Sequence, residues 1–206
     1  QTMYGAVDMM IVGRFSQASE VSAVSTGSWI MQTITTAIVG LSMGTTILLG
    51  RRIGEKQPEE AGRVAGAGIW LFAWIGIVVT VVMQFLAVPA AGWMRAPMEA
   101  FDSTASYVRI CSAGAVFIVA YNVMGSIFRG LGNSRIPLIS VSIACLVNIA
   151  GDLLLVGALG MASAGAAIAT VFAQVVSVVQ SSGNRNCPLY LTGRASAGTG
   201  RWCGTS

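Results

Sequence analysis

The chain has 206 residues, of which 54% are hydrophobic and only 10% are charged. Because soluble domains carry about 25% charged residues, this composition predicts a polytopic membrane protein without room for a separate soluble catalytic domain. The net charge of +4 is spread among loops, which argues against a nucleic-acid surface, and the absence of histidine removes the commonest general base and metal ligand. We therefore expect neither enzymatic activity nor a bound metal cofactor.

The first apolar run, residues 3–15, is too short to span the ~30 Å of hydrocarbon in a bilayer. Because it has neither a basic region nor a cleavage site, it is not a signal peptide, and we interpret it either as a re-entrant segment or as the second half of a helix in a truncated product. The run contains the carboxylate Asp8, with Tyr4 on the same helix face four residues earlier. A carboxylate in a membrane helix costs about 2.5–3.5 kcal/mol on insertion scales, which makes Asp8 a candidate functional residue.

Five further apolar runs follow, each separated from the next by a polar or turn-forming link. The second run contains Gly40 and Gly44, a spacing of small residues that predicts close packing against another helix. Pro137 stands in what should be the first turn of the fifth helix, where its missing N–H does no harm. The runs predict an all-α bundle of about six transmembrane helices, the first incomplete. Their expected bounds are 1–15, 22–50, 62–93, 104–128, 136–157 and 162–180.

Loop charges predict the orientation of this bundle. The loop after the second helix carries four basic residues and the loop after the fourth carries two, whereas the other three loops carry one, one and none. By the positive-inside rule, we expect the even-numbered loops and the N-terminal side to be cytoplasmic. The six basic residues are Arg51, Arg52, Lys56, Arg63, Arg129 and Arg135.

The fifth apolar run contains two strongly polar side chains, Asn148 and Asp152. Because they are four residues apart, they lie on one helix face and can offer oxygens to the same point. The alternative is a hydrogen bond that holds neighbouring helices together. Gln84 and Asn122 are lone amides in the third and fourth helices, where they either contact a substrate or make interhelical hydrogen bonds.

Residues 181–206 lack helical or strand periodicity and are rich in small and polar residues, which predicts a disordered tail. We interpret this tail either as a frameshifted replacement of the natural continuation or as an ordinary connecting loop. Two of the four cysteines lie in the tail and two in apolar runs, and no two of them form a C-x-x-C pair. We expect them to act as small apolar residues rather than as metal ligands or disulfide partners. They are Cys111, Cys145, Cys187 and Cys203.

Five short motifs, in order along residues 1–180, resemble the multidrug and toxic compound extrusion (MATE) family of cation-coupled antiporters. The match covers about one six-helix lobe of a family whose members have two pseudo-symmetric lobes. The motifs are Tyr4-x-x-x-Asp8 followed by Val12-Gly13-Arg14, Gly50-Arg51-Arg52-x-Gly54-Glu55, Arg129-Gly130-x-Gly132-Asn133-x-x-x-Pro137, Asn148-x-x-x-Asp152, and Gly165-Ala166-Ala167-x-Ala169-Thr170.

The resemblance implies a secondary active antiporter in the cell membrane that exports organic, often cationic, compounds in exchange for H⁺ or Na⁺. This coupling ion would take the place of a cofactor. The partners would be the bilayer, the substrates and a C-terminal lobe that this sequence does not contain, so we expect the fragment to be inactive alone. The implied ion site consists of Asp8, Asn148, Asp152 and Thr170, and the implied supporting or substrate-contacting residues are Tyr4, Gln84 and Asn122.

Other functions remain open at this point. A lipid-linked oligosaccharide flippase of the same broad superfamily should line its cavity with cationic residues, of which these helices offer only Arg109. A purely structural membrane subunit would not need two buried acids. A membrane protease is disfavoured because the chain has no histidine and therefore no H-E-x-x-H motif.

Overall fold

The computed structural model describes residues 2–183, with side chains for residues 5–57 and 59–182. Within that range the chain forms seven α-helices and no strand, which confirms the all-α prediction. A 3₁₀ turn, Met98–Ala100, precedes α4, and a π-helical segment, Leu153–Ala158, continues α6. The helices are α1 Thr2–Phe15, α2 Ala18–Gly54, α3 Pro58–Trp93, α4 Phe101–Ala113, α5 Ala115–Gly130, α6 Arg135–Asp152 and α7 Ala162–Gly183.

The described helices include four membrane-length spans: α2, α3, α6 with the π-helical segment, and α7. The bent pair α4 and α5 makes a fifth span if the two are counted together. Helix α1, with 14 residues, is too short to cross alone. Large apolar side chains cover the outside of the bundle; Trp70 is 72% exposed and Phe85 is 77% exposed. Such a surface is suited to lipid hydrocarbon, and the chain is a multi-pass membrane bundle.

Two buried apolar clusters hold the helices together. One joins α1, α2, α3, α4 and α7 and includes Val12 and Val108, which are completely buried. The other joins α2, α3 and α5 and includes Leu49 and Phe72. The first cluster therefore packs the short helix α1, which carries Asp8, against α7, which carries Thr170.

The helix ends meet on two opposite sides of the bundle. The last turns of α2 contact those of α5, where the Thr46 hydroxyl donates to the Ser126 carbonyl oxygen at 3.0 Å. The first turns of α2, α4 and α7 meet on the other side, around Glu20. The two most basic loops therefore share one face of the bundle, as the charge pattern requires. Which side of the membrane that face occupies stays a prediction.

The region expected to form one helix over residues 104–128 consists of two helices that are bent by 51° at Gly114. A Cβ atom on Gly114 would lie 2.6 Å from both methyl carbons of Val171, so glycine is what allows the junction of α4 and α5 to lie directly against α7. The sequence analysis predicted one continuous helix here because the apolar run is unbroken across Gly114.

Two other expectations need correction. Gly40 and Gly44 are exposed, and no described atom lies within 4 Å of a Cβ placed on either, so the predicted close packing is wrong for this bundle. Helix α7 continues to Gly183, beyond the expected start of the tail at residue 181. The rest of the predicted tail, with Cys187 and Cys203, lies outside the described residues.

We predict that Gly114→Ala destabilises the bundle, because its new methyl group would overlap with Val171. Overpacking of this kind costs roughly 1–3 kcal/mol. Adding Val171→Ala should recover much of the loss, since that substitution removes the two opposing methyl groups. Thermal unfolding of the whole protein in detergent measures both effects, with Val171→Ala alone as the control. A Gly114→Ala variant as stable as the wild type would contradict the contact.

Candidate functional site

Four polar residues from three helices converge in the interior of the bundle. The Thr170 hydroxyl on α7 donates to Asp8 Oδ2 on α1 at 3.1 Å, and Asn148 Nδ2 on α6 donates to Thr170 Oγ1 at 3.3 Å. The Asp152 carboxyl, one turn after Asn148, lies beside that of Asp8. Asp8, Asn148 and Asp152 are at most 1% exposed. The structure thus brings together all four residues of the predicted ion site.

This cluster leaves four acceptor oxygens without a donor among the described residues: Asp8 Oδ1, Asn148 Oδ1 and both carboxyl oxygens of Asp152. A buried acceptor without a partner costs about 1–3 kcal/mol, and more when it is charged. Folded proteins contain few such atoms, so four in one place require an explanation. Carboxylate, amide and hydroxyl oxygens are the ligands that hard cations prefer, and the same oxygens accept protons.

The cluster forms where α6 and α7 approach each other most closely. A Cβ atom on Gly151 would lie 2.9 Å from the Cβ of Ala169. Gly151 immediately precedes Asp152, and Ala169 immediately precedes Thr170. The lack of a side chain at position 151 therefore lets α6 and α7 cross closely beside Asp152 and Thr170.

The backbone changes directly after Asp152, where α6 gives way to the π-helical segment. The Leu159 amide donates to the Leu154 carbonyl oxygen, five residues earlier, at 3.0 Å. Short π-helical segments are rare and occur frequently at functional sites. Here the segment lets α6 end at Asp152 while the chain continues toward the start of α7.

A cavity of about 170 Å³ opens beside the cluster. Asp8 and Thr170 belong to its lining, whereas Asn148 and Asp152 are not among its described lining residues and lie behind them. Asp8 and Thr170 therefore belong both to the cluster and to the lining of the cavity. Drug-sized sites usually have volumes of roughly 300–1,000 Å³, so this cavity is large enough for only part of such a molecule.

Sequence analysis did not single out two buried polar residues of this cavity, Tyr107 and Gln174. The Tyr107 hydroxyl hydrogen-bonds to Ser28 Oγ at 3.1 Å, joining α4 to α2. Gln174 is 3% exposed, and its Oε1 atom has no donor among the described residues. A signal existed for Gln174, which follows Thr170 by four residues on the same face of α7. No local signal marked Tyr107, because its partner lies 79 residues away.

The other predicted residues do not join the cluster. Gln84 Nε2 donates to the Arg109 carbonyl oxygen at 3.0 Å and to Ser112 Oγ at 3.2 Å, an interhelical contact between α3 and α4. Asn122 Nδ2 donates to the Ile118 carbonyl oxygen of its own helix at 2.7 Å. Neither amide is in the described lining of the cavity beside Asp8. Tyr4 lies in α1, but its side chain is outside the described residues.

The family model MatE matches residues 1–154 of the 206 in this chain. The chain belongs to the MatE family. This finding confirms the resemblance that the five short motifs indicated.

Individual relatives of this MatE chain agree with that assignment. "Probable multidrug resistance protein YoeA" of Bacillus subtilis is 26% identical over 180 residues, covering 87% of this chain and 39% of that protein. "Probable multidrug resistance protein NorM" of Thermotoga maritima is 23% identical over 180 residues, covering 85% of this chain and 39% of that protein. A crystal structure described as MATE in the bent conformation superposes on this chain with a TM-score of 0.84 and 29% sequence identity. The superposition covers 88% of this chain and 40% of the chain in that structure. The chain therefore spans about two fifths of the length of these relatives.

We predict that Gly151→Ala disrupts the crossing of α6 and α7, because the added methyl group would lie 2.9 Å from that of Ala169. The expected loss of stability is roughly 1–3 kcal/mol, together with a weaker contact between Asn148 and Thr170. Gly66→Ala is the matched control, since no described atom lies within 4 Å of a Cβ at that helical position. Thermal unfolding in detergent should separate the two variants; equal melting temperatures would contradict the prediction.

Proposed function

We propose that this chain forms one lobe of a secondary active antiporter that exports organic compounds in exchange for H⁺ or Na⁺. The observation that carries the proposal is the set of four buried oxygens on Asp8, Asn148 and Asp152 that have no donor among the described residues. A proton or a Na⁺ ion bound among them supplies the missing positive charge. The relatives described as multidrug resistance proteins support export of organic compounds as the transport reaction.

Coupling follows from the position of the two acids on different helices. Two ionised carboxylates about 4 Å apart repel each other by roughly 4 kcal/mol at an effective dielectric constant of about 20. A proton or Na⁺ between Asp8 and Asp152 removes that repulsion and favours contact between α1 and α6. When the ion leaves, the repulsion favours separation of the two helices. Because Asp8 also lines the cavity, this change reaches the substrate directly.

The lining of the cavity favours a cationic amphiphile as the substrate. Asp8 provides negative charge and Gln174 provides an acceptor oxygen, while Met9 and Trp29 contribute apolar surface. No Lys or Arg is among the described lining residues. An amine with N–H donors and an apolar body satisfies both the acid and the free acceptor.

The two alternative functions have less support. A flippase for lipid-linked oligosaccharides would need a cationic lining, but Arg109 is exposed and is not among the described lining residues. A structural subunit would leave the four oxygens without a role. We therefore retain the antiporter as the proposed function.

The proposed transporter lies in the cell membrane, with the loops after α2 and α5 on the cytoplasmic side. H⁺ or Na⁺ is its cargo, and no further cofactor is needed for this exchange. Alternating access in transporters built from repeats requires two halves that rock against each other. Because the chain spans about two fifths of the length of its relatives, we propose that a second lobe is its essential partner.

The ion site is tested by Asp152→Asn in the whole protein, with thermal stability in detergent as the readout. A ligand that binds only the folded state at about 100 times its Kd adds about 2.7 kcal/mol of stability. We expect wild type to gain stability from Na⁺, or to respond to pH if the ion is H⁺. Asp152→Asn should lose that response and ion-driven efflux, because the amide keeps the shape of the carboxylate without its charge.

Asp102→Asn is the control for this experiment, since Asp102 is an exposed carboxylate in the first turn of α4. It should retain the ion response of the wild type. A Na⁺ response lost in Asp152→Asn would identify Na⁺ as the coupling ion, whereas a pH response alone would identify H⁺. If the wild type responds to neither ion, the antiporter proposal fails.

The substrate cavity is tested by Gln174→Leu, which removes the free acceptor with little change in volume. A hydrogen bond to a charged group contributes about 1.5–3 kcal/mol, so affinity for cationic amines should fall roughly tenfold or more. Gln180→Leu is the matched control. Gln180 also lies on α7, and its Oε1 has no donor among the described residues, but it does not belong to the described cavity lining. Equal amine affinity in both variants, measured by equilibrium binding, would exclude Gln174 from the substrate site.

A further inference from the structure

One carboxylate, that of Glu20 in the first turn of α2, joins three helices at a single point. Its Oε1 atom accepts a hydrogen bond from Ser103 Oγ in α4 at 2.7 Å. Its Oε2 atom accepts the backbone N–H of Ser163 in α7 at 3.1 Å. The two oxygens thus fix the first turns of α4 and α7 against α2, on the face opposite the link between α2 and α3.

The start of α7 depends on contacts from outside its own segment. The first N–H groups of a helix have no partner within the helix, and a negative charge placed beside them is favourable. Here that charge comes from α2, 143 residues away in the chain. The link into α7 also passes through Ala162 with φ of 46°, a left-handed conformation that is unfavourable for alanine. Such a conformation persists only where surrounding contacts hold it.

The ion site lies on the same helix, two turns further along. Thr170 follows Ser163 by seven residues, about 10 Å along the helix axis. Around Thr170, α7 makes tight contacts with two glycines, Gly151 on α6 and Gly114 at the helix bend. Because α7 is one continuous helix, a shift of its start along or around the helix axis would carry the Thr170 hydroxyl with it and move that hydroxyl relative to Asp8.

We propose that Glu20 is a positioning residue for the ion site. By fixing the start of α7, it keeps Thr170 within hydrogen-bonding distance of Asp8 and thereby sets the affinity of the site for its ion. This inference rests on the proposed function, because it concerns the same ion site. It adds a residue at one face of the membrane bundle that is not among the described residues of the cavity lining and contacts α7 about 10 Å along the helix axis from Thr170.

The test uses three variants of the whole protein in detergent: Glu20→Ala, Glu20→Gln and the control Glu99→Ala. Glutamine can accept from the Ser163 N–H and donate to Ser103 Oγ, so it keeps both contacts without the charge. Glu99 is an exposed acid in the turn before α4, on the same face as Glu20. One readout is hydrogen exchange over residues 159–166; the other is equilibrium binding of ²²Na⁺, or proton uptake if the ion is H⁺.

Glu20→Ala should increase hydrogen exchange at the start of α7 and weaken ion binding at least tenfold. Glu20→Gln should restore both values, and Glu99→Ala should match the wild type. If Glu20→Ala speeds hydrogen exchange but leaves ion affinity unchanged, Glu20 is a purely structural contact and the proposal is overturned. Unchanged hydrogen exchange in Glu20→Ala would overturn it too. Glutamine failing to restore ion affinity would also overturn it. An ion response that Glu20→Ala leaves intact refutes this inference alone, whereas a wild type without any ion response refutes the antiporter as well.

Discussion

The burial of two neighbouring carboxyl groups in a lipid-embedded bundle is the constraint on which the rest of this structure depends. Asp8 and Asp152 lie side by side, and the described residues offer Asp8 one donor, Thr170, and Asp152 none. Placing two acids on different helices makes the packing of those helices depend on what neutralises them. Neutralisation of the two acids and the packing of α1 against α6 therefore depend on each other.

Helix α7 is the element that connects this site to the rest of the bundle. It supplies Thr170 to the polar cluster and Gln174 to the cavity, one helical turn apart. Its middle rests against glycines on two other parts of the chain, and its start is held by Glu20. Because a helix moves as a rigid rod over such short distances, a displacement of α7 at one of these contacts also displaces it at the others.

The sequence predicted the all-α fold class well, because helical periodicity and apolar runs are local properties. Of the six expected transmembrane helices, the described residues contain four membrane-length spans, or five with the bent pair. Apolar runs of membrane length and the charges between them are visible without any tertiary information. The bend at Gly114 was not predicted, and neither was the close contact there with Val171, which lies on a helix more than 50 residues later. For Gly40 and Gly44 the sequence predicted a close contact that the structure does not contain, because no described atom lies within 4 Å of a Cβ on either exposed residue.

For the site, too, the sequence determined some properties and only the tertiary structure decided others. By itself, the sequence determined that Asp8 and Asp152 are acids in apolar helices and that Asn148 shares a face with Asp152, because helical spacing is local. Only the tertiary structure decided that Thr170 lies between Asn148 and Asp8. It also showed that the side chains of Gln84 and Asn122 hydrogen-bond to backbone carbonyl oxygens away from this cluster. Finally, it placed Tyr107 and Gln174 in the cavity lining. These outcomes depend on how closely helices cross, which is set by side-chain volume at distant positions such as Gly151 and Ala169.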